Sequence, residues 1–106
     1  MAQINRRSTA YLEVTFLDKD HQEAAPTGAT YEIYDLKSGT TIREETEISP
    51  IASKVEITLT PDDTDIIDES SQGERRRVVV EAAFGDNDQT VKVFEYTVIN
   101  VKKAAA

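Results

Sequence analysis

Apolar and polar side chains alternate along most of this chain, the pattern of β-strands that bury one face. The densest apolar sequence runs from Arg76 to Val101, where two alternating stretches flank the polar segment DNDQ. Val91 and Val93 fall out of phase with Phe94 and the residues after it, which predicts a β-bulge. A hairpin of two strands is marginal in water because nothing covers its apolar face. The earlier stretches must therefore supply a second sheet that covers this face, and the pattern predicts a β-sandwich.

Four further stretches before this hairpin have the composition of strands. They are Ala10–Leu17, Ala29–Leu36, Thr41–Ile48 and Lys54–Thr60. The last alternates most regularly, whereas Thr41–Ile48 is too polar to be central and is predicted to be an edge strand. The sequence thus predicts an all-β, antiparallel sandwich of about six to seven strands, because short strands at this spacing without an amphipathic helix are typical of such folds.

One segment between the predicted strands has the features of a helix start. Thr60 can cap a helix, Pro61 suits its first position, and the aspartates that follow suit its positive end. We therefore expect one short helical turn near residues 61–67. Its two isoleucines would close the base of the sandwich.

The length of 106 residues fits a single domain. Residues 9–101 contain all the predicted strands and are expected to form that domain. Residues 1–8 carry little apolar content and are interpreted as a flexible or partner-dependent arm. Residues 102–106 are interpreted as a disordered tail and a cloning remnant.

Charge and composition narrow the classes of function. The formal net charge is −8, and such an acidic surface repels the phosphates of nucleic acids. The basic run Arg75–Arg77 stands where a strand begins and is interpreted as a solvated strand edge. The chain has no cysteine, which excludes disulfides and thiolate chemistry. No stretch resembles a membrane span or a signal peptide, so we expect synthesis in the cytoplasm and no membrane partner.

The chain offers few candidates for catalysis or metal binding. His21 is the only histidine and lies in the loop DKDHQE without a second ligand or a nucleophile at motif spacing. The acidic segment 62–69 carries many oxygens but lacks the spacing and the glycine of a calcium loop. Asp86–Asp88 has ordinary turn chemistry, and the carboxylates of Glu44–Glu47 are interpreted as a solvated edge. We expect no catalytic residue, no cofactor, no metal and no small-molecule substrate, although calcium binding by segment 62–69 stays open.

Two tyrosines are the best candidates for a contact surface. Tyr11 and Tyr34 are predicted to point outward from their strands. Tyrosine is favoured in protein interfaces and in sugar-binding sites because its ring is apolar and its hydroxyl is polar. Outward tyrosines also serve as packing partners across neighbouring strands, so this pattern alone does not define a binding site.

The order of the elements resembles a known family. The stretch LEVTFLDKDHQEAAPTGATYEIYDLKSGT, followed by VEITLTPDDTDII and RRVVVEAAFGDNDQTVKVFEYTV, is similar to the small immunoglobulin-like domains of tailed-bacteriophage virion proteins, including baseplate and tail adaptor domains. The similarity spans roughly residues 10 to 99 and implies an immunoglobulin-like β-sandwich. The turn glycine of that pattern is replaced here by His21 or Gln22.

This resemblance implies a function that the residues alone do not reveal. It implies a non-enzymatic structural protein of a phage or prophage, made in the bacterial cytoplasm and assembled into a tail, a baseplate or a head-decoration position. Its partners would be other virion proteins or further copies of itself. The alternative is a stand-alone adhesion or carbohydrate-binding module that uses Tyr11 and Tyr34.

Overall fold

The computed structural model describes residues 2–85 and 88–101, and in this part of the chain it contains seven β-strands. Their bounds are β1 Ala2–Asn5, β2 Ala10–Thr15, β3 Gly28–Asp35, β4 Thr41–Glu47, β5 Lys54–Leu59, β6 Gly73–Ala83 and β7 Gln89–Ile99. The strands β2 to β7 correspond, within a few residues, to the six strands that the alternation predicts.

The strands form two sheets. Five of them are arranged in the order β1-β7-β6-β3-β4, and the other two, β2 and β5, pair with each other. All neighbours are antiparallel except β1, which runs parallel to β7. The polar strand β4 lies at one end of the larger sheet, which confirms that it is an edge strand.

The core lies between the two sheets. The larger sheet contributes side chains such as Ile33, Val78 and Val80, and the smaller sheet contributes Val14 and Ile57, all of which are buried. In each of these strands the alternate residues face away from the core. The predicted all-β, sandwich-like architecture is confirmed, whereas the immunoglobulin-like topology stays a prediction.

The hairpin of β6 and β7 is longer and more regular than the sequence suggests. Pairing continues without a register shift from Gly73 opposite Ile99 to Ala83 opposite Gln89. The predicted β-bulge is therefore wrong. Val91 and Val93 are out of phase with the inward residues because they lie on the outer face, where both are about half exposed.

The predicted helical turn near residues 61–67 is also wrong, because residues 61–64 form a hydrogen-bonded turn and the segment contains no helix. The Asp63 amide donates to the Thr60 carbonyl, while the Asp63 carboxylate accepts the Thr60 amide. This reciprocal pair closes the turn at its first residues, and no helix follows it. Ile66 is buried as expected, but Ile67 is exposed.

Part of the segment interpreted as a flexible arm has a defined position. Residues 2–5 form β1, which pairs with the last residues of β7 from Tyr96 to Ile99. The stretch AQIN is only four residues long and has one large apolar side chain, so its alternation is too short to identify a strand, and the strand depends on pairing with β7. Residues 102–106, interpreted as a disordered tail, lie outside the described residues.

Candidate functional site

The structure places the two candidate tyrosines on opposite sides of the molecule. Tyr11 lies on the outer face of the β2–β5 sheet and is 65% exposed. Tyr34 lies on the outer face of the larger sheet, is half-buried, and donates a hydrogen bond from its hydroxyl to the carboxylate of Glu32. This hydrogen bond raises the pKa of Tyr34. The tyrosines therefore do not form one shared surface, and a binding role for either one stays a prediction.

The most unusual feature of the core is a completely buried arginine. Arg76 lies within the run that the sequence interprets as a solvated strand edge, but its side chain is 0% exposed. Its neighbours Arg75 and Arg77 are exposed, as expected. The alternation contains the signal for this difference, since Arg76 has the same parity as the inward residue Val78. The interpretation of Arg76 as solvated is therefore wrong.

Arg76 holds together groups from three parts of the chain. Its Nε donates to Asp35 Oδ1 at 3.0 Å, and its Nη2 donates to Glu74 Oε1 at 2.5 Å. It also donates to the backbone carbonyls of Asp63 and Asp65 at 3.4 and 3.0 Å. We call these five residues the Arg76 network. A buried arginine fork with two carboxylates is well compensated, because the charges are paired and the donors are hydrogen-bonded.

A second ion pair extends this network towards the edge strand. Arg43 of β4 donates from Nε and Nη2 to the two carboxylate oxygens of Asp63, at 2.9 and 2.8 Å. The hydroxyl of Tyr96 donates to the Asp63 carbonyl at 2.7 Å. Burial raises the pKa of Tyr96 to about 12. The segment between β5 and β6 is thereby bonded to strands β4, β6 and β7.

The N-terminal strand is anchored at the same end of the molecule. Arg6, which directly follows β1, donates from Nη1 and Nη2 to Glu69 at 2.7 Å in both cases and to Asp65 at 3.1 Å. Arg7 adds a second bond to Asp65 at 2.9 Å. Asn100 accepts a bond from Arg6 at 3.2 Å. These contacts join both ends of the described chain to the segment 60–72.

The same contacts bear on the possible calcium site. Within segment 62–69, Asp63 is bonded to Arg43, while Asp65 and Glu69 are bonded to Arg6. Asp68 accepts hydrogen bonds from the backbone and side chain of Ser70. No group of three or more potential metal ligands occurs among residues 2–85 and 88–101. These four acidic residues accept hydrogen bonds from arginines and from Ser70, and calcium binding by this segment, which the sequence leaves open, has no support among the described residues.

The remaining polar candidates have local roles or lie outside the described residues. His21 is exposed and has a φ of 61°, so it stands in the left-handed conformation that glycine adopts most easily. Asp86 and Asn87 are not among the described residues.

A groove of about 570 Å³ lies beside the Arg76 network, between the β3–β4 turn and the segment before β6. The two buried carboxylates in its lining, Asp35 and Glu74, are both bonded to Arg76. Glu74 also accepts the amides of Ile67 and Asp68. In the described part of the chain no buried side-chain nitrogen or oxygen lacks a hydrogen-bond partner. The Arg76 network therefore connects separate parts of the fold. Among the described residues, the buried acids and bases beside the groove are all engaged in hydrogen bonds within the protein.

The Arg76 network predicts how stability depends on pH. Burial opposes ionisation of Asp35, but hydrogen bonds from Ser38 and Arg76 outweigh it and lower the pKa of Asp35 below the usual 3.8. A lowered pKa contributes stability above the unfolded-state value, and this contribution is lost as the pH falls through the native value. We expect urea midpoints of the native protein to fall steeply below about pH 4. The Asp35→Asn variant should be less stable at neutral pH and should lose less on acidification.

The matched control for this titration is Asp20→Asn, which changes an exposed aspartate in the β2–β3 loop. It should follow the native curve at every pH. Parallel curves for the native protein and Asp35→Asn would contradict an ionised Asp35 in the network.

Comparison with protein-family models, with curated proteins and with solved structures gave no match to this chain. The described residues contain no helix that is long and apolar enough to cross a membrane.

Proposed function

We propose that this chain is a non-enzymatic structural protein of a phage or prophage particle, acting in a tail, a baseplate or a head-decoration position through contacts with other proteins. The order of its strands and turns is similar to that of phage immunoglobulin-like domains, and this similarity suggests that the chain is a component of a phage particle. The arrangement of its charged groups supports a structural role, since the buried acids and bases of the described chain stabilise the fold.

The single observation that carries the protein-contact role is an unpaired length of sheet. β1 covers β7 only from Tyr96 to Ile99, so Gln89–Glu95 has no strand beside it on the side away from β6 among the described residues. Val91 and Val93 of this length are exposed, at 56% and 52%. Unpaired strands with exposed apolar residues are sites at which proteins associate.

The particle role is tested in the bacterium that encodes the chain. Phage particles are induced, purified by density-gradient centrifugation, and analysed by quantitative mass spectrometry. We expect the chain to co-purify with the particles at a fixed ratio to the major tail protein. Its recovery only in the particle-free fraction would refute the proposal.

A further inference from the structure

The unpaired part of β7, Gln89–Glu95, has properties that define what binds there. We call it the open edge. Backbone N–H and C=O groups are obligatory hydrogen-bonding groups, and on this side of β7 no strand of the described chain pairs with them. A strand edge of this kind is a template for a further strand.

The other edge of the larger sheet is less suited to pairing. β4 shows two register shifts against β3, between Tyr31 and Ile33 and between Ile33 and Tyr34. It also carries exposed glutamates, including Glu44 and Glu45. Bulges and charges are the features by which natural sheets prevent edge association. The β6–β7 pairing has no such shift.

The smaller sheet is protected by charge. The exposed face of β2 and β5 carries Glu13, Lys54 and Glu56. A strand added to either edge would have to place its side chains beside these charges. The open edge of β7 is therefore the most suitable site for strand addition among the described strands.

The middle of the open edge, Val91–Val93, alternates between apolar and basic side chains. Val91 and Val93 lie on the outer face, where Val79 of β6 is paired with Val93. Lys92 lies between them and points to the opposite face, on the side of Phe94. Lys92 is half-buried, and no ion pair joins it to an acid of the described chain. A strand beside it faces valine, lysine and valine in turn.

We propose that the open edge binds an extended segment of a different protein in which two apolar residues flank a carboxylate. Backbone pairing would extend the five-stranded sheet, and the apolar residues would pack on Val91 and Val93. The carboxylate would lie on the inner face and pair with Lys92, since side chains directly opposite in neighbouring strands are in contact. This assignment rests on the proposed function, because it specifies the partner of a protein-contact surface.

A second copy of the chain is a poorer occupant. In an antiparallel pair of open edges that overlaps by five or more residues and keeps the outer faces on one side, Lys92 faces Thr90, Lys92 or Phe94 of the other copy, according to the register. None of these supplies a carboxylate, and one register places two like charges side by side, which is destabilising. A segment with an acid between two apolar residues places apolar side chains beside Val91 and Val93 on the outer face and a carboxylate beside Lys92 on the inner face.

The test uses capped synthetic peptides and the ¹⁵N-labelled full chain. The acidic probe is Ser-Thr-Val-Glu-Val-Thr-Ser, and the matched probe has lysine in place of glutamate. We expect the acidic peptide to shift the amide resonances of the open edge and to slow their hydrogen exchange. It should bind at least fivefold more tightly than the lysine peptide, with the difference decreasing at high salt.

Variants of the chain make the assignment specific. Lys92→Glu should reverse the preference in favour of the lysine peptide, and Lys92→Gln should abolish the preference. The matched control Lys54→Glu changes an exposed lysine on β5 and should leave both affinities unchanged. Amide spectra without peptide establish that each variant is folded, and Lys92→Gln provides the test if Lys92→Glu does not fold.

Three outcomes would overturn the inference. They are binding of both peptides with equal affinity, resonance shifts confined to another surface, and concentration-dependent protection of the open edge without peptide, which would identify a second copy as the occupant. Failure here with the chain still present in particles would refute the partner assignment alone. Peptide binding by a chain that is absent from particles would refute the virion role and retain the partner assignment.

Discussion

Replacing Arg76 with alanine is expected to lower the free energy of unfolding by about 3–5 kcal/mol. The guanidinium is completely buried and pairs with Asp35 and Glu74, which are themselves almost fully buried. Removing it leaves two carboxylates without a counter-ion in a medium that solvates them poorly. Equilibrium urea unfolding at neutral pH, followed by far-ultraviolet circular dichroism, measures the loss.

The neighbouring arginines provide matched controls in the same strand. Arg75 and Arg77 both bond to Glu95 on the outer face and are exposed. Their alanine variants should each change the free energy of unfolding by less than about 1 kcal/mol, because exposed ion pairs contribute little. If Arg76→Ala unfolds at the same urea concentration as Arg77→Ala, Arg76 is not buried as the structure describes.

Replacing Phe16 with alanine should have a similarly large effect, a loss of about 3–5 kcal/mol. Phe16 follows β2 and is 1% exposed in the core. Its amide donates to the Ser53 carbonyl, and its carbonyl accepts the Ala24 amide, so the backbone position is fixed independently of the ring. The substitution therefore leaves a cavity that the surrounding backbone cannot readily close. Thermal unfolding of the variant measures this loss.

The control for this substitution is Tyr11→Ala, which removes an aromatic ring of similar size from the same strand region. Tyr11 is 65% exposed, so its removal should change the free energy of unfolding by less than about 1 kcal/mol. Equal destabilisation by the two substitutions would mean that the faces of β2 are assigned incorrectly.

The sequence predicts the strands well because their burial has a period of two. Val55, Ile57 and Leu59 are all buried, and the residues between them are exposed, as the alternation requires. The same rule identifies the inward residues of β6. It fails for β1, because residues 2–5 contain one large apolar side chain and the strand depends on pairing with a partner distant in sequence.

The buried charges were harder to predict because charged residues are usually at the surface. Arg76 is an exception that its parity with Val78 reveals, but its partner Asp35 lies in another strand, and the pairing depends on the register between β3 and β6. The turn at Pro61 is difficult to predict for a similar reason. Asp63 bonds to the backbone of Thr60 and to Arg43 of a distant strand, and local propensity contains no information about that second contact.

The parallel pairing of β1 has a practical consequence for handling the protein. Ala2 lies opposite Tyr96 and the chain runs from there towards Ile99, so residues added before Met1 would, in the same parallel register, be directed back along Phe94 and Val93. A purification tag fused at the amino terminus can therefore add itself to the sheet and mask the surface that a partner needs. Tags for crystallisation or affinity capture belong at the carboxyl terminus, and a peptide that binds only after an amino-terminal tag is cleaved would reveal this competition.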